Sequence, residues 1–387
     1  MHIVIVTGGS AGDVFPFIGL ARTLRARGHD VAVTANELFG DAVRRTGVEF
    51  IEIGTAAEFH AAVENPDIWH PRKGIEIVFR QGLLPAVEPT IEALRARRRD
   101  DTVLVAGTFG LAARILRDAG GPPLATAHLS PSIFQSVHRV PRLPGMPVAD
   151  WSPTWWKRLW WRMSDWVVDP LLAKPLNEIR ARMGLAPLSR VLRDWIHSPD
   201  LVLCLFPDWF GSPQPDWPPA VLTGFVLFDD SERPEDPDLD AWINAGERPV
   251  VFTAGSANVT AHEFFRESVT TCVRLGRRGL LVTSRPESVP RELPGNVRWA
   301  SFAPFSRVLP RAAALVSHGG VGTIAQGLAA GIPQLIAPMA FDQFDNASRL
   351  EELGAGAALP MRRYTGARAA DALGRLLGDA TVAARCR

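Results

Sequence analysis

The chain has 387 residues, 47% apolar and 21% charged, with 42 Lys and Arg against 41 Asp and Glu. That length and balance fit two globular domains and exclude a disordered or collagen-like chain. A net charge of +1 supplies no bulk field for a polyanion, so no nucleic-acid partner is expected. Cys204, Cys272 and Cys386 are odd in number and far apart. They form neither a disulfide framework nor a C-x-x-C pair, so no metal and no resident cofactor is expected.

Taken in chain order, the first segment Ile3 to Val6 is a β-branched run that reads as a strand rather than a leader peptide. Glycines 8, 9 and 12 follow, then a helical pattern from Val14 to Arg27 and strands at Val31 to Thr34 and Val48 to Ile53. Strand, turn, helix and strand at this spacing predict a parallel α/β sheet. Thr102 to Ala106 and Pro123 to Ala127 continue it. The stretch 128–225 is rich in Pro and Trp with weak periodicity, and holds one clear strand, Leu201 to Leu205. An acidic, proline-bearing run at 229–240 reads as a linker. A second alternating series follows, with strands at Val250 to Thr253, Gly279 to Thr283, Val297 to Trp299, Ala313 to Ser317, Gln334 to Ala337 and Ala357 to Leu359. The expected organisation is residues 1–225 as an N-terminal domain, 226–244 as linker and 245–387 as a C-terminal domain, two parallel-sheet domains facing across a cleft. No apolar run reaches the roughly 18 residues of a membrane span. A cytoplasmic protein is expected, with peripheral contact at the inner face of a membrane left open.

Ligands of open parallel sheets bind outside the carboxyl ends of the strands. At such an end H-G-G-V-G-T (318–323) follows a strand and opens a helix. Glycines 319, 320 and 322 let the backbone approach a ligand, the helix start offers unpaired N–H groups, and Thr323 adds a hydroxyl. His318 can add a donor or a positive charge. The pattern reads as a phosphate cradle or as a tight turn. Asp13, near the first helix start, reads as a cap or as a general base. Asp342 and Gln343 can read adjacent sugar hydroxyls or simply begin a helix. His128 ends a strand and can orient an acceptor or be a satisfied loop histidine. The segment 151–166 holds six of the 12 tryptophans. Trp151, Trp155, Leu159 and Met163 share one helical stripe that Trp156 and Trp160 widen. Core packing, the wall of an apolar pocket, and contact with a membrane or partner are all open readings.

These motifs, in this order, resemble family 1, the UDP-glycosyltransferase-like enzymes of the two-domain GT-B fold. The resemblance is carried by G-S-A-G-D-V-F-P-F-I-G-L-A (9–21), V-F-T-A-G-S (251–256), V-R-W-A-S-F-A-P (297–304) and the segment from His318 through G-I-P-Q (331–334) to F-D-Q-F-D-N-A (341–347). Segments 11–24, 195–210 and 223–229 look most like the rhamnosyltransferase chains of rhamnolipid synthesis. The resemblance implies an inverting, metal-independent transfer of rhamnose or another hexose from a dTDP- or UDP-sugar to a hydroxyl of an apolar acceptor. It implies Asp13 as base and Ser256, His318, Gly319, Gly320, Gly322 and Thr323 around the diphosphate. Phe302, Ala303 and Gln326 would meet the nucleoside, and Asp342 and Gln343 the donor sugar. Asn346 stands where the family has a phosphate-side Asn. Phe15, His128, Trp155 and Trp156 would lie on the acceptor side. Gln326, where plant members carry Glu, fits a deoxyribose donor. The resemblance also implies a terminal helix beyond Arg387. The alternatives are a nucleotide-sugar epimerase of the same fold and a non-catalytic partner protein; no feature sets an oligomeric state.

Overall fold

The structure is a computed structural model that describes all residues except 70–72, 234, 235, 257, 259, 260 and 387. Two residues of the expected linker therefore lie outside the described residues. The fold divides into two compact units, Met1–Val226 and Leu227–Arg387.

In the first unit seven strands form the sheet, and the central ones, such as His2–Val6 with every residue buried, are covered on both faces as a parallel sheet requires. The seven are β1 (His2–Val6), β2 (Asp30–Ala35), β3 (Glu49–Glu52), β4 (Thr102–Gly107), β5 (Leu124–His128), β6 (Leu201–Cys204) and β7 (Val221–Leu222). The order is β3-β2-β1-β4-β5-β6-β7, parallel throughout, with Ile3 opposite both Val31 and Val103. The second unit repeats the plan with β8 (Val250–Thr253), β9 (Gly279–Val282), β10 (Val297–Ala300), β11 (Ala314–Ser317), β12 (Gln334–Ile336) and β13 (Gly356–Ala358). Its order is β10-β9-β8-β11-β12-β13, again parallel. Each unit is thus a Rossmann-like α/β domain. The two-residue β7 is too short to leave a pattern in the sequence.

Two expectations are corrected. The segment read as linker ends in a packed helix, Pro237–Asn244. Asp236 caps it by accepting from the N–H groups of Asp238 and Leu239 at 3.0 and 3.1 Å. Leu239 and Ile243, one turn apart, bury against Val251 and Leu280. The core reading of the tryptophan stripe also fails. The segment forms a helix, Thr154–Arg182, whose inward face carries Trp161, Leu172, Leu176 and Ile179. Trp151, Trp155, Leu159 and Met163 lie on the opposite face, in solvent. The Trp155 ring, 67% exposed, meets the edge of its half-buried neighbour Trp156 at 6.0 Å.

The inward half of this helix joins the core that holds Phe79, Leu104 and Ile115. Beside that core, Asp118 pairs with Arg114 and Arg180 and accepts from the Trp195 indole at 2.7 Å. Burial alone would push the Asp118 carboxyl up. The hydrogen bonds from Trp195 and Arg180, and the Arg114 charge, outweigh it and hold the carboxyl below its ordinary value. Removing one partner of a buried cluster strands the others without a counter-charge. Asp118→Ala should lower the unfolding free energy of the N-terminal unit by about 3–5 kcal/mol, read from urea denaturation.

Candidate functional site

The strand orders place a topological switch point in each unit, between β1 and β4 and between β8 and β11. There the loops leave the sheet in opposite directions and open a crevice. Asp13 follows β1, Ser256 follows β8 and His318–Thr323 follow β11, at these two points, whereas Phe302 and Ala303 follow the edge strand β10 and His128 ends β5.

In the C-terminal unit, β11 ends at Ser317, His318 and Gly319 form the turn, Gly320 is the N-cap, and the helix Val321–Ala329 follows. The N–H groups of Gly320, Val321, Gly322 and Thr323 have no acceptor among the described residues. They and the positive end of the helix form an anion cradle. A Cβ on Gly322 would meet nothing within 4 Å, so the chain is bare where a ligand would approach. The His318 ring is wedged between two glycines. A Cβ on Gly255 would stand 2.7 Å from its Cε1, and one on Gly320 2.7 Å from its Nε2. Gly255 also has φ +85°, a conformation that L side chains rarely adopt. Burial pushes the His318 pKa down to about 4. The ring is therefore neutral near pH 7 and offers a hydrogen bond, not the positive charge that the sequence left open. Its Nδ1 is buried with no partner among the described residues. Ser256 lies exposed beside Gly255.

The loop after β12 locks onto this turn. Asn346, fully buried, donates through Nδ2 to the Gly319 carbonyl at 3.1 Å and to Asp342 Oδ2 at 2.8 Å. It braces the loop and the carboxylate; those two bonds, not a phosphate, take its amide protons. Asp342 is the N-cap of the helix Gln343–Glu352, yet its side chain makes no cap hydrogen bond, so it is not held there as a cap. Gln343 is buried, and its Oε1 accepts from Met339 and Ala340 N–H at 2.8 and 3.1 Å. Only its amide nitrogen is left for a sugar. Of the nucleoside candidates, the Phe302 ring lies under the Arg233 guanidinium at 4.6 Å. The Ala303 methyl is in the core, which leaves only its main chain to meet a base. Gln326 is buried in the helix behind the cradle.

In the N-terminal unit the helix Ala11–Ala26 starts earlier than its apolar pattern suggests. Ser10 is the N-cap and Asp13 the third helical residue, an S-x-x-D spacing written in the sequence. The Ser10 N–H and hydroxyl both donate to Asp13 Oδ2, at 2.9 and 3.0 Å. Oδ1 has no partner among the described residues. A Cβ on Gly9 would lie 2.6 Å from Oδ2, so glycine there, at φ +112°, lets the carboxylate fold back. Asp13 is open to solvent, and the surrounding protein still raises its pKa, which the Ser10 hydrogen bonds partly offset. Phe15 packs edge-on against Phe39 at 6.2 Å. His128 is corrected as an acceptor-facing residue. It is fully buried, with Nδ1 bonded to Thr108 Oγ1 at 3.0 Å and Nε2 to His197 Nδ1 at 2.9 Å. Neither ring nitrogen is left for a ligand.

Comparison with known proteins identifies the family and the fold. Residues 3–137 match the glycosyltransferase family 28 N-terminal domain, and residues 280–387 match the erythromycin biosynthesis protein CIII-like C-terminal domain. O-mycaminosyltylonolide 6-deoxyallosyltransferase of Streptomyces fradiae is 30% identical over 420 residues, covering 100% of this chain and 92% of the relative. Vancomycin aglycone glucosyltransferase of Amycolatopsis orientalis is 26% identical, covering 92% of this chain and 86% of its own. Among solved structures, glycosyltransferase VinC in complex with dTDP has a TM-score of 0.71 at 20% identity, covering 100% of this chain and 93% of its own. The chain belongs to the family 1, UDP-glycosyltransferase-like enzymes of GT-B fold, and is a glycosyltransferase. That sets aside the epimerase and non-catalytic readings.

Two outcomes follow from the geometry. Asn346→Ala leaves the Gly319 carbonyl and Asp342 short of a donor, and should cost the C-terminal unit about 1–3 kcal/mol in chemical denaturation. Burial also holds His128 well below, and His197 at about 4 against, an ordinary value near 6.5. Between those values the unfolded chain binds protons that the folded chain refuses. Stability should therefore be level above pH 7 and fall as pH drops from 6.5 toward 4, by about 1.4 kcal/mol per unit for each buried imidazole. Urea denaturation between pH 8 and 5 checks this, and a flat profile contradicts it.

Proposed function

We propose that the enzyme performs an inverting, metal-independent transfer of a deoxyhexose, rhamnose or a relative of it, from a dTDP-sugar to a hydroxyl of an apolar acceptor. The N-terminal unit takes the proton and the C-terminal unit holds the donor. The observation that carries the reading is the Asp13 carboxylate, anchored through Oδ2 by Ser10 with Oδ1 free. The acceptor hydroxyl gives its proton to Oδ1 as its oxygen bonds to the anomeric carbon. The bond from that carbon to the diphosphate oxygen breaks, and its electron pair leaves with the diphosphate.

The leaving diphosphate gathers negative charge. The free N–H groups at 320–323, with the Thr323 hydroxyl, are fixed before reaction, so they stabilise that charge without reorganising. His318 adds a neutral donor from its glycine wedge, and Ser256 a hydroxyl. Asp342, steadied by Asn346, and the Gln343 amide nitrogen would bind the sugar. Phe302, the Ala303 main chain and Gln326 would bind the nucleoside.

Support for a deoxyribose donor comes from Gln326 in place of a glutamate and from the neighbour solved with dTDP. For an apolar acceptor the support is the relatives, which by name include a tylonolide-type deoxyallosyltransferase and sterol 3-beta-glucosyltransferases. Phe15 near the base is consistent with such an acceptor. Asp13→Asn should lower turnover by about 10²–10⁴-fold, measured as nucleoside diphosphate release, while dTDP still raises the melting temperature. Near-normal turnover in that variant would falsify the base assignment.

A further inference from the structure

The helix Thr154–Arg182 is apolar on two opposite faces, and the chain covers only one of them. Its far half, from Leu172, is seated in the core. Its near half leaves Trp155, Leu159, Met163 and Trp166 exposed at 67, 40, 45 and 87%, flanked by Trp151 at 87% and Val167 at 70%. At 100° per residue, Trp155, Leu159, Met163 and Trp166 fall within one quadrant of the helix. Between Trp155 and Trp166 the stripe runs about 16 Å. A contiguous aromatic and aliphatic strip of this kind marks an interaction surface.

Its charges say what it meets. Arg158 and Arg162, one turn apart on the same flank, are exposed and make no ion pair among the described residues. The helix's own acids are turned inward. Asp165 pairs with Arg193 at 2.8 Å, and Asp169 accepts the N–H of Val191 at 2.6 Å and that of Arg190. The outward face is therefore apolar and cationic, with its acids withdrawn. Pro170 ends this half by removing the N–H that would bond the Trp166 carbonyl.

We infer that the outward half of this helix, residues 154–169, docks in the plane of an anionic lipid surface. Trp, Leu and Met enter the boundary between headgroup and acyl chain, and the two arginines lie at the phosphates. Tryptophan suits that depth because its ring is apolar and its N–H stays wet. The assignment is independent of the sugar, the donor and the base proposed above.

The test is co-sedimentation of the full chain with large vesicles, of phosphatidylcholine alone or with 30% phosphatidylglycerol. Binding is expected only with phosphatidylglycerol, and should weaken as salt rises. Trp166→Ser with Leu159→Ser should weaken it at least about tenfold. Arg158→Gln with Arg162→Gln should weaken it about 25-fold, roughly fivefold for each charge. These side chains point away from the core, so unchanged melting temperatures will show that the variants are folded. Failure to sediment at low salt overturns the inference, as does equal binding by wild type and variants. A solution dimer that Trp166→Ser dissolves in the absence of vesicles assigns the stripe to a second copy, and also overturns it.

Discussion

The glycine turn at 318–323 rests on two missing methyl groups. His318 occupies its place because Gly255 and Gly320 present bare backbone to either side of the ring. A side chain at either position would push the imidazole out, and with it the geometry of the helix start behind it. The wedge also fixes the ring's electrostatics. Enclosed this way, the imidazole stays uncharged, so the positive character of the cradle comes from oriented amides and the helix end. Fixed dipoles of that kind do not titrate, and hold their sign across the physiological range.

From this wedge the other loops take their positions. Gly319 is gripped by Asn346, Asn346 steadies Asp342, and Gln343 folds the turn after β12 onto its own amide oxygen. The Asp342 carboxylate and the glycine turn are therefore tied together through one amide. The N-terminal unit solves a similar problem at its own switch point by a smaller device, in which Ser10 holds one oxygen of Asp13 and leaves the other free.

Much of this was written locally in the chain. Continuous runs such as Ile3 to Val6 and Val250 to Thr253 can only be doubly buried strands once glycine turns and helical patterns separate them. The S-x-x-D spacing at Ser10 and Asp13 was equally readable. What stayed hidden depends on residues far apart. The partner of His128 is His197, 69 positions away, and no spacing rule joins them. The charge state of His318 follows from burial that only the packed loops create. Asn346 reads as one more polar residue of a helix until Gly319 is beside it. Only the start of the helix Thr154–Arg182 was legible, as the stripe from Trp151 to Met163, because two internal prolines and apolar residues on both faces blur the 3.6-residue period beyond it.

Pro170 divides that helix into a half anchored among Leu172, Leu176 and Ile179 and a half whose surface the fold does not require. Substitutions at Trp155, Leu159, Met163 and Trp166, on the outward face before the proline, leave the core's packing untouched, whereas those at Trp161, Leu172, Leu176 and Ile179 are paid in stability. Selection can therefore redraw what this arm touches while the domain beneath it stays constant. Relatives with the same Rossmann-like frame are free to differ there first.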